Sequence, residues 1–197
     1  MTAFLDLNKN TGFLDLSKAA PSLTKLRGAL NWDMHPIHGK DLNNGFDLDI
    51  FIFGLNAQKK IQFPQDVCFF NNKTICASAI QMSEDNRTGL DSAPGQDDEF
   101  FTADLSKIPA DKASFDVFVF IHDATNRRQN FGMMANARFE LRNEADGSLI
   151  QGYNISQFTT GSALHIGTVE RKGDTWNFNP VGEAAEADPN QVAQAYL

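Results

Sequence analysis

Cysteine is almost absent from this chain. Only Cys68 and Cys76 occur in 197 residues, too few for a disulfide framework and without the partners of a zinc site. Both are expected to be reduced and carried on strands. Positive charge is also scarce: 17 Lys and Arg stand against 25 Asp and Glu, a formal net charge of −8. That balance argues against nonspecific binding to nucleic acid or to a bare anionic membrane, because both need a basic surface. No stretch approaches the ~18 uninterrupted apolar residues of a membrane-spanning helix, and "MTAFLDLNKN" has no basic segment followed by an apolar one. A cytoplasmic protein that is not integral to a membrane is expected. Catalytic signatures are missing as well. There is no G-x-S-x-G elbow, P-loop or G-x-G-x-x-G, and His35, His38 and His165 lack the HExxH spacing.

What the chain has instead is phenylalanine, 17 against two Tyr and two Trp. The Phe residues fall in short runs bounded by Gly, Asn, Asp and Pro, which is how strands are punctuated. "GFLDLS", "LRGALNW", "FDLDIFIFGL", "QDVCFF", "FDVFVFIHD", "ARFELR", "LIQGYNI", "LHIGTVER" and "TWNFNPV" each have the length of a strand. Asp146-Gly147 and Gly173-Asp174 separate consecutive runs and predict two hairpins. "DATNRRQNFG" predicts a short helix capped by Asp123, and "DPNQVAQAYL" another with Asp188 as cap and Pro189 at its first position. The expected fold is all-β, a β-sandwich of two mainly antiparallel sheets with short peripheral helices.

The acids are not spread evenly. In "DLNNGFDLDIFIF", Asp41, Asn43, Gly45, Asp47 and Asp49 alternate along an extended segment and project from one face. Because Ile50, Phe51, Ile52 and Phe53 follow at once, Asp47 and Asp49 are expected where the strand enters the core. Hard oxygen donors in such a place suit Ca²⁺. The spacing is not that of an EF-hand, since the glycine comes one place early and Ile52 stands where a bidentate Glu is required. "FFNNKT" offers the amide oxygens of Asn71 and Asn72. "EDNRTGLDSAPGQDDE" is the densest, with Asp85, Asn86, Asp97, Asp98 and Glu99 bracketing Gly89, Pro94 and Gly95. Either that loop is simply solvated, as most charge runs are, or a cation offsets its repulsion.

These pieces occur in a recognisable order: "LDLSKAAPSLTKLRGALNWD", "FDLDIFIFGLN", "FFNN", "EDNRTG", "DDE", "ADLSKIPAD", "FVFIHDATNRRQNFGMMANARFELRN" and "GDTWNFNPVG". Together they resemble the TerD family of tellurium-resistance and stress-response proteins, from about residue 12 to about residue 182. The resemblance implies a cytoplasmic, non-enzymatic, calcium-binding sandwich, working in tellurite and general stress resistance with other stress-response proteins and a membrane-associated complex as partners. It also implies calcium ligands at Asp33, Asp47, Asp49, Asn71, Asn72, Asp85, Asn86, Asp97, Asp98 and Glu99. Residues 1–182 then form the domain, and residues 183–197 a linker and tail. Glu84 departs from the family's usual glycine, and the link from Gly89 to "DDE" is longer. Two other readings use the same residues. One is a metal-dependent hydrolase with His122 as base; the other is an interaction module that needs no metal.

Overall fold

The computed structural model describes residues 4–7, 12–33, 46–87 and 96–197. Among these described residues, thirteen strands form two sheets. They are β1 (Phe4–Asp6), β2 (Leu14–Asp15), β3 (Lys25–Asp33), β4 (Leu48–Leu55), β5 (Val67–Cys68), β6 (Thr74–Ile75) and β7 (Ile80–Met82), followed by β8 (Glu99–Asp104), β9 (Ser114–Ile121), β10 (Ala135–Asn143), β11 (Leu149–Asn154), β12 (Ala163–Lys172) and β13 (Thr175–Ala185). One sheet has the order β1-β11-β10-β3-β8-β7-β6, the other β2-β13-β12-β9-β4-β5. Every pairing is antiparallel except β1 with β11. In the described residues three short α-helices accompany them, α1 (Leu16–Ala19), α2 (Ala124–Arg127) and α3 (Pro189–Ala195), with one 3-10 turn at Phe131–Met133. The fold is the all-β sandwich that the Phe runs predict.

β4 and β9 position the site, and their composition explains how. Both are continuous apolar runs, and every residue in them is buried. A strand buried on both faces needs cover on both. Leu48, Ile50, Ile52, Phe115, Val117, Val119 and Ile121 face the other sheet in the main core. Phe51, Phe53, Phe118 and Phe120 point the opposite way and form a second apolar cluster with Ala193. The cover on that outer side includes α3. Tyr196 stacks on Phe53 with ring centroids 5.3 Å apart, its hydroxyl donates to Asp116 Oδ2 at 2.6 Å, and its carbonyl accepts from Ile61 N at 3.0 Å. Residues 183–197, read from sequence as linker and tail, are thus the end of β13, a short connection and this packed helix. Asp188 and Gln191 form a reciprocal capping box with Pro189 in the first turn.

Both expected hairpins are present, β10 to β11 and β12 to β13. Three local expectations need correction. "GFLDLS" is strand only at Leu14–Asp15, because the Asp15 carboxylate accepts from Ser17 N and Lys18 N and starts α1. Asp123 precedes α2 but does not cap it with its side chain; its backbone is left-handed, and Oδ1 accepts from Asn126 Nδ2 at 2.6 Å instead. Cys68 lies in β5, whereas Cys76 follows β6 in a left-handed turn. Both thiols are free and buried, which pushes Cys68 up to about 12 and Cys76 up to about 11. Neither is a ready nucleophile.

Gly28 on β3 pairs directly with Phe101 on β8, and a Cβ there would collide with the fully buried Phe101 ring. Gly28→Ala is therefore expected to destabilise the fold by about 1–3 kcal/mol through overpacking. An unchanged urea midpoint would show that the ring does not lie across Gly28.

Candidate metal centre

The period of two along β4 puts Asp49 on the same side as Phe51 and Phe53. Asp47 lies just before the strand, and its carbonyl accepts from His122 N at 2.8 Å, tying the head of β4 to the end of β9. Both side chains are taken into the protein, with Asp47 only 6% and Asp49 only 4% exposed. Asp85, from the segment after β7, brings a third carboxylate. One oxygen from each of the three lies within 4.8 Å of the others. Donors that share a Ca²⁺ ion at 2.3–2.6 Å stand at most about 5 Å apart, so the spacing fits one ion.

Glu99 approaches the same group from the other sheet. On the edge of β4 that faces β5, Gly54 N donates to Asp66 O, and two-residue periodicity puts Ile50 N on that edge too. β5 is only two residues long and pairs with Ile52 and Phe53, so the ladder stops before Ile50. The Glu99 carboxylate takes its place and accepts from Ile50 N at 3.0 Å.

The electrostatics record the crowding. Burial, reinforced by the neighbouring Asp47 charge, holds Asp49 well above the usual carboxylate range, at about 7. Burial likewise raises Glu99 to about 9, with Asp49 and Asp85 adding to the effect and the Ile50 and Asn86 N–H groups opposing it. Asp47 is raised by burial and by Asp85, against the pull of His122, Arg127 and Arg87. In each case the charged form lacks the solvation it would have in water. Asp47 Oδ1 is buried with no hydrogen-bond partner. A lone acceptor of this kind carries a desolvation cost that native proteins seldom leave uncompensated.

A small cavity of about 170 Å³ joins the three aspartates with Phe70, Arg87, His122 and Arg127. Arg87 Nε lies 3.1 Å from Asp85 Oδ2. Among these groups and Glu99, four carboxylates face two guanidinium groups, which leaves a formal charge of −2 if all the acids are ionised. A divalent cation carries the opposite charge. His122 Nδ1 is 3.4 Å from Asp49 Oδ2 and its side chain is 44% exposed. Among the described residues lining this cavity there is no serine, cysteine or second histidine. The donor set is mainly hard carboxylate oxygen, which a hard divalent cation such as Ca²⁺ accepts.

The other residues named from sequence lie outside the aspartate trio, although Asp97 and Asp98 line a neighbouring cavity together with Asp85 and Asn86. Asp33 ends β3 and accepts from Asn136 Nδ2 at 2.8 Å. Asn72 gives its side-chain amide to Pro64 O and Val67 O, locking a turn, and Asn71 beside it is exposed. Asp97 pairs with Arg27 at 3.0 Å. Asp98 Oδ2 accepts from Trp32 N at 2.9 Å, beyond the point where the β3–β8 ladder ends at Leu30 and Glu99. Asn86 meets the group through its backbone N–H. Asp41, Asn43, Gly45, Gly89, Pro94, Gly95, His35 and His38 lie outside the described residues. Sequence reasoning missed Arg87 and Arg127, although Arg87 is only two residues from Asp85.

Comparison with known proteins agrees with this architecture. The model of the TerD domain matches residues 5–196. The tellurium resistance protein TerD of Serratia marcescens is 33% identical over 186 residues, covering 94% of this chain and 93% of its own. General stress protein 16U of Bacillus subtilis (strain 168) is also 33% identical, with 93% and 92% covered. In structure, a homologue of the telluride resistance protein (TerD) from Streptomyces coelicolor A3(2) superposes with a TM-score of 0.70 at 20% identity, over 87% of this chain and 96% of that one. A family match across nearly every residue and relatives 33% identical over more than nine-tenths of the chain lead to one assignment: the chain belongs to the TerD family.

Proposed function

We propose that this protein is a calcium-binding, non-enzymatic TerD-type module that acts in bacterial resistance to tellurite and other stresses. The observation that carries the reading is Asp47 Oδ1, a buried carboxylate oxygen with no donor, inside a trio of aspartates spaced for one ion. Asp47, Asp49 and Asp85 would hold the ion, with Glu99 behind them. Calcium would supply the charge that these acids lack and fix the Asp85 segment against the head of β4. The surface ordered in this way would meet a protein partner, another stress-response protein or a membrane-associated complex. Support for the biological role comes from the names of the relatives, which include tellurium resistance and general stress proteins. Among the described residues no helix is long and apolar enough to cross a membrane. The reading places the protein in the cytoplasm.

The direct test is calorimetric titration of the chelator-treated protein with Ca²⁺, using Mg²⁺ as control. Saturable heat with Ca²⁺ that Mg²⁺ does not reproduce is expected, and Asp47→Asn and Asp49→Asn should each abolish it. Equal heats from both variants and the parent would remove the assignment of the site. Two-metal indifference in the parent would leave the interaction module that needs no metal.

A further inference from the structure

A larger opening lies beside the acidic cavity. A cavity of about 610 Å³ lies between the outer face of β4 and β9, α2 and the start of α3. Its volume is in the range of sites that enclose small molecules. Six phenylalanines line it, among them Phe51, Phe69, Phe70 and Phe120. These four form a connected set of rings, with Phe51 centred 5.1 Å from Phe69, 6.3 Å from Phe70 and 5.0 Å from Phe120. Phe63, also in the lining, is half exposed. Such an opening among buried and partly buried aromatic side chains is apolar surface that a folded protein usually covers unless it is used.

Charge selects the occupant. The lining carries the carboxylates of Asp49, Asp123 and Asp188, and no lysine or arginine among its described residues. An anion would therefore enter against three like charges with no cation to receive it. A neutral apolar molecule would leave that bias unused. Aromatic faces beside carboxylates attract an organic cation, and alkylation suits it to a wall of Phe, which offers a π-face but no hydrogen-bond acceptor. The other polar groups are partly engaged: Asp188 Oδ1 accepts from Gln191 N, Asp123 Oδ1 from Asn126 Nδ2, and the Ser162 hydroxyl donates to Ala187 O. We infer that the cavity between β4, β9 and the C-terminal helix is a binding site for a small alkylated ammonium ion with an apolar or aromatic body, held between the phenylalanine rings and Asp49.

This inference shares Asp49 with the calcium reading without depending on it, and its test is run in chelator so that calcium does not compete for that carboxylate and the two readings stand or fall separately. The probe is benzyltrimethylammonium at pH 8, with phenylacetate as an anion bearing the same ring. Saturable binding of the ammonium, followed by calorimetry, is expected, with none of the phenylacetate. Phe70→Leu keeps the apolar bulk but removes the π-face and should weaken the ammonium by about fivefold or more. Thr125→Trp, at an exposed lining position, should block entry and abolish binding while leaving the thermal midpoint of the parent. Equal binding of both probes, binding of neither, or ammonium binding that survives Thr125→Trp would overturn the proposal.

Discussion

Replacing Asp49 by asparagine is expected to raise the thermal midpoint of the calcium-free protein at pH 8 and, in the same molecule, to erase its response to calcium. At that pH the Asp49 carboxylate is ionised in a buried site where the Asp47 and Asp85 carboxylates already oppose its charge. Asparagine keeps the size and an acceptor for His122 but removes one of the like charges. The gain should be about 1–2 kcal/mol, equivalent to about 2–8 °C for a chain of this length. The parent should gain more from the ion than the variant gains from the substitution, since a ligand at 100 times its Kd is worth about 2.7 kcal/mol. The ranking of the two proteins should therefore reverse when calcium is added. A variant less stable than the parent in chelator would mean that His122 already satisfies the Asp49 charge, and that crowding is not what the ion relieves.

The second large effect is on pH dependence, and its sign is opposite to that of an ordinary paired carboxylate. In the unfolded chain these acids lose their protons near pH 4. Folded, Asp49 keeps its proton to about 7 and Glu99 to about 9. Between those limits the folded state binds more protons, so stability is greatest at the acid end and is lost as pH rises through the folded values. His165, whose pKa burial lowers, works the other way below about pH 6.5, because unfolding then takes up a proton. The fall should consequently stand clear between pH 7 and 9, the range of Glu99. Urea unfolding in chelator should show a decline on the order of 1–2 kcal/mol across that range. Glu99→Gln should flatten it, and saturating calcium should cancel it by favouring the ionised acids. A flat or rising curve for the calcium-free parent would contradict the burial of Glu99.

The architecture was legible because its signals are local. Phe-rich runs of strand length, bounded by turn residues, gave the sandwich, and Asp-Gly and Gly-Asp pairs gave two hairpins. Asp47 and Asp49 were legible for a related reason: they sit at the head of an apolar run, so any fold that buries the run must bring them near the core. What the run could not disclose was its neighbours. Asp98 ends up on Trp32 N and Asp97 on Arg27 because of where the β3–β8 ladder stops, a fact of pairing between segments some 70 residues apart. Glu99 reaches Ile50 N only because β5 is short. For Asn72, read from sequence for its amide oxygen, the turn adds what the sequence does not disclose: two backbone carbonyls that accept from its Nδ2. The unbroken hydrophobicity of "FDVFVFI" implies cover on both faces; that part of it comes from "QVAQAY" depends on the register in which α3 lands.

Order of synthesis gives that last contact a cellular meaning. β4 and β9 are made long before residues 189–196, so every growing chain carries Phe51, Phe53, Phe118 and Phe120 without the helix that shares their cluster. Until translation reaches Tyr196, that aromatic face is a surface for chaperones, or for other unfinished chains. Loss of residues 186–197 by a nonsense codon or a protease is therefore expected to leave an adhesive polypeptide rather than a shortened working one.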